Sequence, residues 1–397
     1  QQAVESYYAT MAPALQPYRD ELARLQLETD AITKQIPTTP IMRELPPQQQ
    51  RDTRVHIRGN FLNQGERVSP GVPKAFPPMP YDAPRNRLGL ARWLVDDANP
   101  LTARVQVNRF WEQFFGIGIV ETSEDFGIQG EWPSHPELLD WLALDFMGND
   151  WDMKQLIRRI VTSATYRQAS KVTPDLLEKD PYNRLLARGP RIRLDAETVR
   201  DQALAASGLL SDAMHGPSVM PPQPEGIWMV VYNGEGWQNA MDEDRYRRGV
   251  YTYWRRTSPY PAMVTFDAPS REVCTVRRIR TNTPLQALVT LNDPVYIEAA
   301  QALARRVFVE ADATPAARAT RAFQRVLARE PSAEELQHVV QLYESELSHY
   351  RDNAGEAVAM AQDPLGAVPP YMDTAEAAAW TVVCNVILNL DETLTKR

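Results

Sequence analysis

The stretch from Asp212 to Thr281 holds most of the side chains that could do chemistry. Trp228, Tyr232, Trp237, Tyr246, Tyr251, Tyr253, Trp254 and Tyr260 fall there together, with little helical period to bury them. Flat rings offer an apolar body with a polar edge and gain contact area at low entropic cost, which suits the face of a sugar. The same rings could instead form the segment's own small core. Between Asp244 and Arg280 stand nine arginines, Arg245, Arg247, Arg248, Arg255, Arg256, Arg271, Arg277, Arg278 and Arg280, against Asp244, Asp267 and Glu272. Guanidinium forks bind carboxylate or sulfate in a planar, bidentate way, so this excess could hold uronate or sulfate groups. It could also pair internally with acidic helices or form a docking face. Trp228, Tyr232, Trp237, Trp254, Arg271, Arg277 and Arg278 are the candidate ligand contacts.

Glu225, Glu235, Asp242, Glu243 and Asp244 share the segment. Glycoside hydrolysis uses two carboxylates at a set separation, which makes Glu235, Asp242 and Asp244 the candidate catalytic groups. Other chemistries find less support. Asp125-Phe126-Gly127 lacks a glycine-rich phosphate loop and an H-R-D catalytic loop, there is no G-x-S-x-G elbow, and Ser270 has no nearby histidine. The five histidines show no metal-binding spacing and no C-x-x-C occurs, so no metal site and no cofactor are expected in this chain. Cys274 and Cys384 could form one disulfide, and His135 is expected to complete a helix start.

Composition bounds the partners. The 397 residues are 43% hydrophobic and 24% charged, as in an ordinary globular protein, and the net charge of −8 argues against general nucleic-acid binding. Of the 43 basic residues only six are lysine, a bias that a GC-rich genome would also produce. No apolar run reaches the roughly 18–20 residues of a membrane span. The chain starts at Gln1 without a signal peptide, as expected of a processed form or a piece of something longer.

The elements that must position these residues are mainly α. Residues 1–36 end in an amphipathic helix from about Pro17 to Ile36, with Leu22, Leu25 and Ile32 at helical spacing and Pro37 as its stop. Residues 37–84 form a β- and Pro-rich cap with strand-like pieces at Ile41–Glu44 and Arg54–Arg58. From 85 to 397 the pattern is a multi-helix body interrupted by the irregular aromatic and Arg-rich insert, 212–281. Its helices start near Asn86, where Leu90, Trp93 and Leu94 form a face, and near Leu101, with a stop at Gly116. Others start at a Ser134–Glu137 capping box, at Asp152 and at Asp195. After the insert, starts fall at Thr283-Pro284 with Gln286 in the capping-box position, at Asp293-Pro294, and at Ser332 with Glu335. The last helix, about Asp373 to Asn389, is apolar enough to be buried.

Three blocks carry a resemblance: RVHIRGNFLNQGERVSPGVP, NRLGLARWLVDDANPLTARVQVNRFWEQFFGIGIVETSEDFGIQGEWPSHPELLDWLA, and DAPSREVCTVRRIRTNTPLQALVTLNDP. They resemble the planctomycete secreted domain, domain of unknown function 1553, over nearly everything after about Ile36. The resemblance implies a secreted or periplasmic setting. It also implies an upstream uncharacterised domain, often with a planctomycete cytochrome c domain beyond it, so that haem c would belong to that missing part. An upstream domain or a cytochrome c is the expected partner, with anionic polysaccharide as a further one. Because the family has no settled activity, no catalytic residue carries over from it. Two readings stand: a binding and scaffolding module of a cytochrome-linked or polysaccharide-processing protein, or a carbohydrate-active enzyme. The enzyme would be a hydrolase or lyase, or an oxidoreductase subunit passing electrons to a c-type cytochrome.

Overall fold

A computed structural model describes residues 2–227 and 236–396. The chain is mainly α: among the described residues 51% are helical, and these residues form two small antiparallel sheets. It divides into two compact units, residues 1–99 and 100–397.

In the first unit, α1 (Gln2–Met11) and α2 (Gln16–Gln35) are joined by a single 3-10 turn at Pro13–Leu15. The amphipathic pattern does form a helix, but Leu22, Leu25 and Ile32 are exposed rather than buried. Pro37 disfavours α geometry in the residue before it, and Ile36 is accordingly extended at φ −75°, ψ 118°. Strands β1 (Arg54–His56) and β2 (Gln64–Arg67) pair antiparallel, Arg54 opposite Arg67 and His56 opposite Gln64. The strand expected at Ile41–Glu44 does not form: residues 41–46 carry no regular structure, and Glu44 binds the first residue of the next helix, Arg87. That helix, α3 (Arg87–Leu94), starts at Asn86, whose side chain accepts from the Gly89 amide. Trp93 is buried and donates to the Pro77 carbonyl at 2.8 Å, while Leu90 and Leu94 on the expected face stay about 40% exposed.

The second unit opens with α4 (Thr102–Phe115), α5 (Pro136–Gly148), α6 (Met153–Thr162) and the short α7 (Pro174–Lys179). Helix α4 ends at Gly116, φ +82°, where a Cβ would also lie 2.2 Å from Ile192. No other residue type suits that position. Val107, Trp111, Phe115, Leu139, Phe146, Leu156 and Ile160 close a core in which Trp111 and Phe115 stack at 4.1 Å. Asp152 caps α6 through the amides of Lys154 and Gln155. The Ser134–Glu137 capping box does not form: Ser134 turns back to the Ile119 carbonyl, and His135 occupies the cap position without a side-chain bond to the helix. Tertiary geometry outcompeted the local motif.

Strand β3 (Ile192–Arg193) precedes α8 (Ala196–Ser207). The insert then carries 3-10 turns at Glu243–Tyr246 and Gly249–Tyr251 and a one-turn helix, α9 (Pro261–Thr265). Six elements follow: α10 (Pro284–Asn292), α11 (Pro294–Glu310), α12 (Pro315–Leu327), α13 (Ala333–Asp352), α14 (Ala354–Gln362) and α15 (Thr374–Leu388). Strand β4 (Thr395–Lys396) returns to pair with β3. The Ser332–Glu335 capping box forms in full, and Asp293 and Asp373 cap α11 and α15. Gln286 does not cap α10. It is fully buried and binds Arg193 and the Thr265 carbonyl. Helix α15 is buried almost all round, with Ala378, Val383, Cys384 and Ile387 at 0% exposure, and it packs against α11, α13 and α14. Burying Val383 and Ile387 stabilises by roughly 1.5–3 kcal/mol each, and α8 in turn packs on α11 and α12.

Candidate functional site

Helix α8 is where the insert attaches. Its small residues Ala196, Val199, Ala203 and Ala206 face the core. The charged residues Glu197, Arg200 and Asp201, spaced i, i+3 and i+4, instead meet the insert. Arg278 forks onto Glu197 at 2.5 and 3.0 Å, and Arg280 Nε lies 3.3 Å from Asp195 at the helix start. Asp195 therefore holds an arginine instead of capping its own helix. Glu197 is held below the usual carboxylate range: burial pushes it up, and the Arg278 hydrogen bonds more than reverse this.

Asp201 accepts the Gly249 amide at 2.6 Å. A Cβ on Gly249 would approach the Glu197 backbone to 2.9 Å, so only glycine lets the insert come this near α8. Burial raises the Asp201 carboxyl despite that hydrogen bond. One turn earlier in the insert, Arg245 Nη2 and the Tyr246 hydroxyl both donate to Glu298 on α11, at 2.9 and 2.8 Å. Glu298 is 3% exposed. Burial and this bond push the Tyr246 hydroxyl up to about 12. Arg247 lies 3.9 Å over the Tyr251 ring and donates to the carbonyls of Pro217 and His215.

Behind this layer, Arg200 donates to the Arg245 carbonyl at 2.6 Å, while its Nε and Nη1 have no hydrogen-bond partner among the described residues. A cavity of about 10 Å³ lies between Arg200, Tyr260 and Tyr296, too small for an organic ligand. Asp293 is 5% exposed nearby, and burial pushes its carboxyl up to about 6, against the Val295 amide bond and the Arg200 charge.

The candidate ligand contacts divide. Trp228, Tyr232 and Glu235 lie outside the described residues. Trp237 is half-buried, donates to the Pro221 carbonyl at 2.8 Å, and has ring neighbours Tyr260 at 5.5 Å and Tyr253 at 6.4 Å. With Gln223, Glu225 and Asn239 it lines an open cleft of about 340 Å³. Trp254 donates to the Ser270 carbonyl, and the Arg271 guanidinium sits 4.8 Å over its ring. Arg277 is exposed and faces Glu124 at 3.3 Å. Asp242 caps the turn at Glu243–Tyr246 through the Asp244 amide, and Asp244 is itself exposed. Cys274 is exposed and Cys384 buried, and both thiols are free. Among the described residues, no three His, Cys, Asp or Glu side chains are grouped to hold a metal ion, and no helix is long and apolar enough to cross a membrane.

Arg200, Asp201 and Glu298, nearly or partly buried at the insert's foot, are not among the residues expected to form the site, and Asp293 is expected only as a helix start. A signal existed in α8, where Glu197, Arg200 and Asp201 repeat at helical spacing inside an otherwise alanine-rich face.

These features define a mainly helical module whose arginine-rich insert is clamped by acidic residues of its own helices. The family model described as a protein of unknown function, DUF1553, matches residues 86–343, and the chain belongs to that family. Comparison with curated proteins and with solved structures returned no match.

Proposed function

We propose that the chain is a binding and scaffolding module, and that the Trp237 cleft takes a sugar ring of a glycan. The cleft carries this reading. Its volume of about 340 Å³ lies within the ordinary range for ligand sites, and it places an indole beside a carboxylate and two amides. That is the chemistry of a ring that stacks on its apolar face and hydrogen-bonds at its rim. Because Arg277 and Arg278 face Glu124 and Glu197, a ligand held by stacking is better supported here than one held by guanidinium forks. The setting is extracytoplasmic, and an upstream domain or a cytochrome c is the partner. Tyr7, Tyr8, Leu22 and Leu27, all more than 60% exposed on α1 and α2, support such a contact.

Calorimetric titration with neutral, uronic and sulfated oligosaccharides tests the reading. A neutral oligosaccharide should bind, and Trp237→Ala should weaken it by about twofold to tenfold, since stacking on one aromatic ring contributes about 0.5–1.5 kcal/mol beyond burial. Absence of binding across the panel rejects the cleft. Product release that Asp242→Asn abolishes would favour the hydrolase or lyase reading instead.

A further inference from the structure

Five arginines, Arg43, Arg51, Arg67, Arg85 and Arg87, line one cleft of about 940 Å³ within the first unit, and Glu44 is the acidic residue on its wall. Two of the five are neutralised. Arg67 pairs with Asp52 at 2.7 Å, and Arg87 with Glu44 at 2.8 Å. Arg43, Arg51 and Arg85 make no ion pair or side-chain hydrogen bond among the described residues. The bias is regional: residues 37–92 hold nine basic and four acidic side chains, in a chain whose net charge is −8. Like charges sharing one concavity repel, and their field attracts and concentrates anions.

Glu44 shows what the cleft recognises. Its Oε1 accepts from both the backbone amide and the Nε of Arg87, at 3.3 and 2.8 Å. The start of α3, with its unbonded amides and positive end, thus already holds one carboxylate. The guanidiniums of Arg43, Arg51 and Arg85 line the same cleft, and a guanidinium can offer a carboxylate or sulfate two parallel N–H donors.

We infer that this cleft is an oxyanion-binding site, separate from the Trp237 cleft, for a ligand carrying two or more carboxylate or sulfate groups. The groups can be borne by a free small polyanion or by a sugar chain. Multiplicity follows from three uncompensated guanidiniums in a space large enough for more than one such group.

The test is titration of the full chain with citrate, with inorganic sulfate, and with sulfated and uronic oligosaccharides, at 20 and 200 mM salt. Binding should weaken with salt. It should weaken at least tenfold in the triple variant Arg43→Gln, Arg51→Gln, Arg85→Gln, and stay within twofold of wild type in Arg92→Gln, an exposed α3 arginine outside the cleft. An unchanged thermal melt of the triple variant shows that the loss is not unfolding. Citrate binding as tightly as the oligosaccharides assigns a free polyanion; oligosaccharide binding alone assigns a sugar chain. No binding of any probe, or equal binding by the triple variant and wild type, overturns the inference.

Discussion

Two arginine-rich regions of this chain behave in opposite ways. In the insert, guanidiniums are drawn inward: Arg245 onto Glu298, Arg278 onto Glu197, Arg280 onto Asp195, and Arg247 onto backbone carbonyls and the Tyr251 ring. In the cap, Arg43, Arg51 and Arg85 line a cleft without acidic partners. Arginine content alone does not separate a structural clamp from a ligand site. What separates them is whether carboxylates from distant parts of the chain converge on the same place.

The sharpest way to break this contrast is to remove the acid under the insert. Glu298→Ala leaves Arg245 and Tyr246 buried without their partner and should destabilise the chain by about 3–5 kcal/mol in urea unfolding. A loss below 1 kcal/mol would mean that the insert is not clamped. Next comes the pH dependence set by Asp293. Its carboxyl is raised from the ordinary 3.8 to about 6, so the folded chain keeps this proton to a higher pH than the unfolded chain does. Its contribution to stability therefore falls as pH rises from about 4 to about 6 and levels off above, by up to about 3 kcal/mol. Asp293→Asn, which keeps an amide acceptor for Val295, should flatten the curve in that window relative to wild type, and identical curves would exclude it. Arg278→Ala, at a partly exposed fork, should cost about 1–2 kcal/mol. Smallest of all, Arg51→Ala or Arg85→Ala should change stability by no more than about 0.5 kcal/mol. A larger loss would place those side chains in the structural class with Arg278.

Legibility in the sequence followed the range of the interactions. Asp152, Ser332 with Glu335, and Asp373 act within four residues of themselves, and each marks its helix start. Gly116 is equally local. Ser134, Asp195 and Gln286 carry the same kind of signal, yet each is diverted to a partner far along the chain: Ile119, Arg280 and Arg193. The site divides the same way. The aromatic and arginine-rich composition of 212–281 marks the region, but nothing local tells that Arg278 meets Glu197, 81 residues away. Glu298 reads as one more polar position on α11 until Arg245 and Tyr246 arrive from the insert.

The two free cysteines give the molecule an internal stopwatch. Cys274 is open to solvent beside the insert's arginines, whereas Cys384 sits at 0% exposure in α15, its thiol pushed far above the usual range by burial. A thiol reagent should therefore modify one group at once and the second only when the helical centre opens. The slow phase reports global opening, and the fast phase reports local access at the insert. One native protein, unlabelled and unmutated, thus times the loosening of its frame and the exposure of its insert in the same experiment.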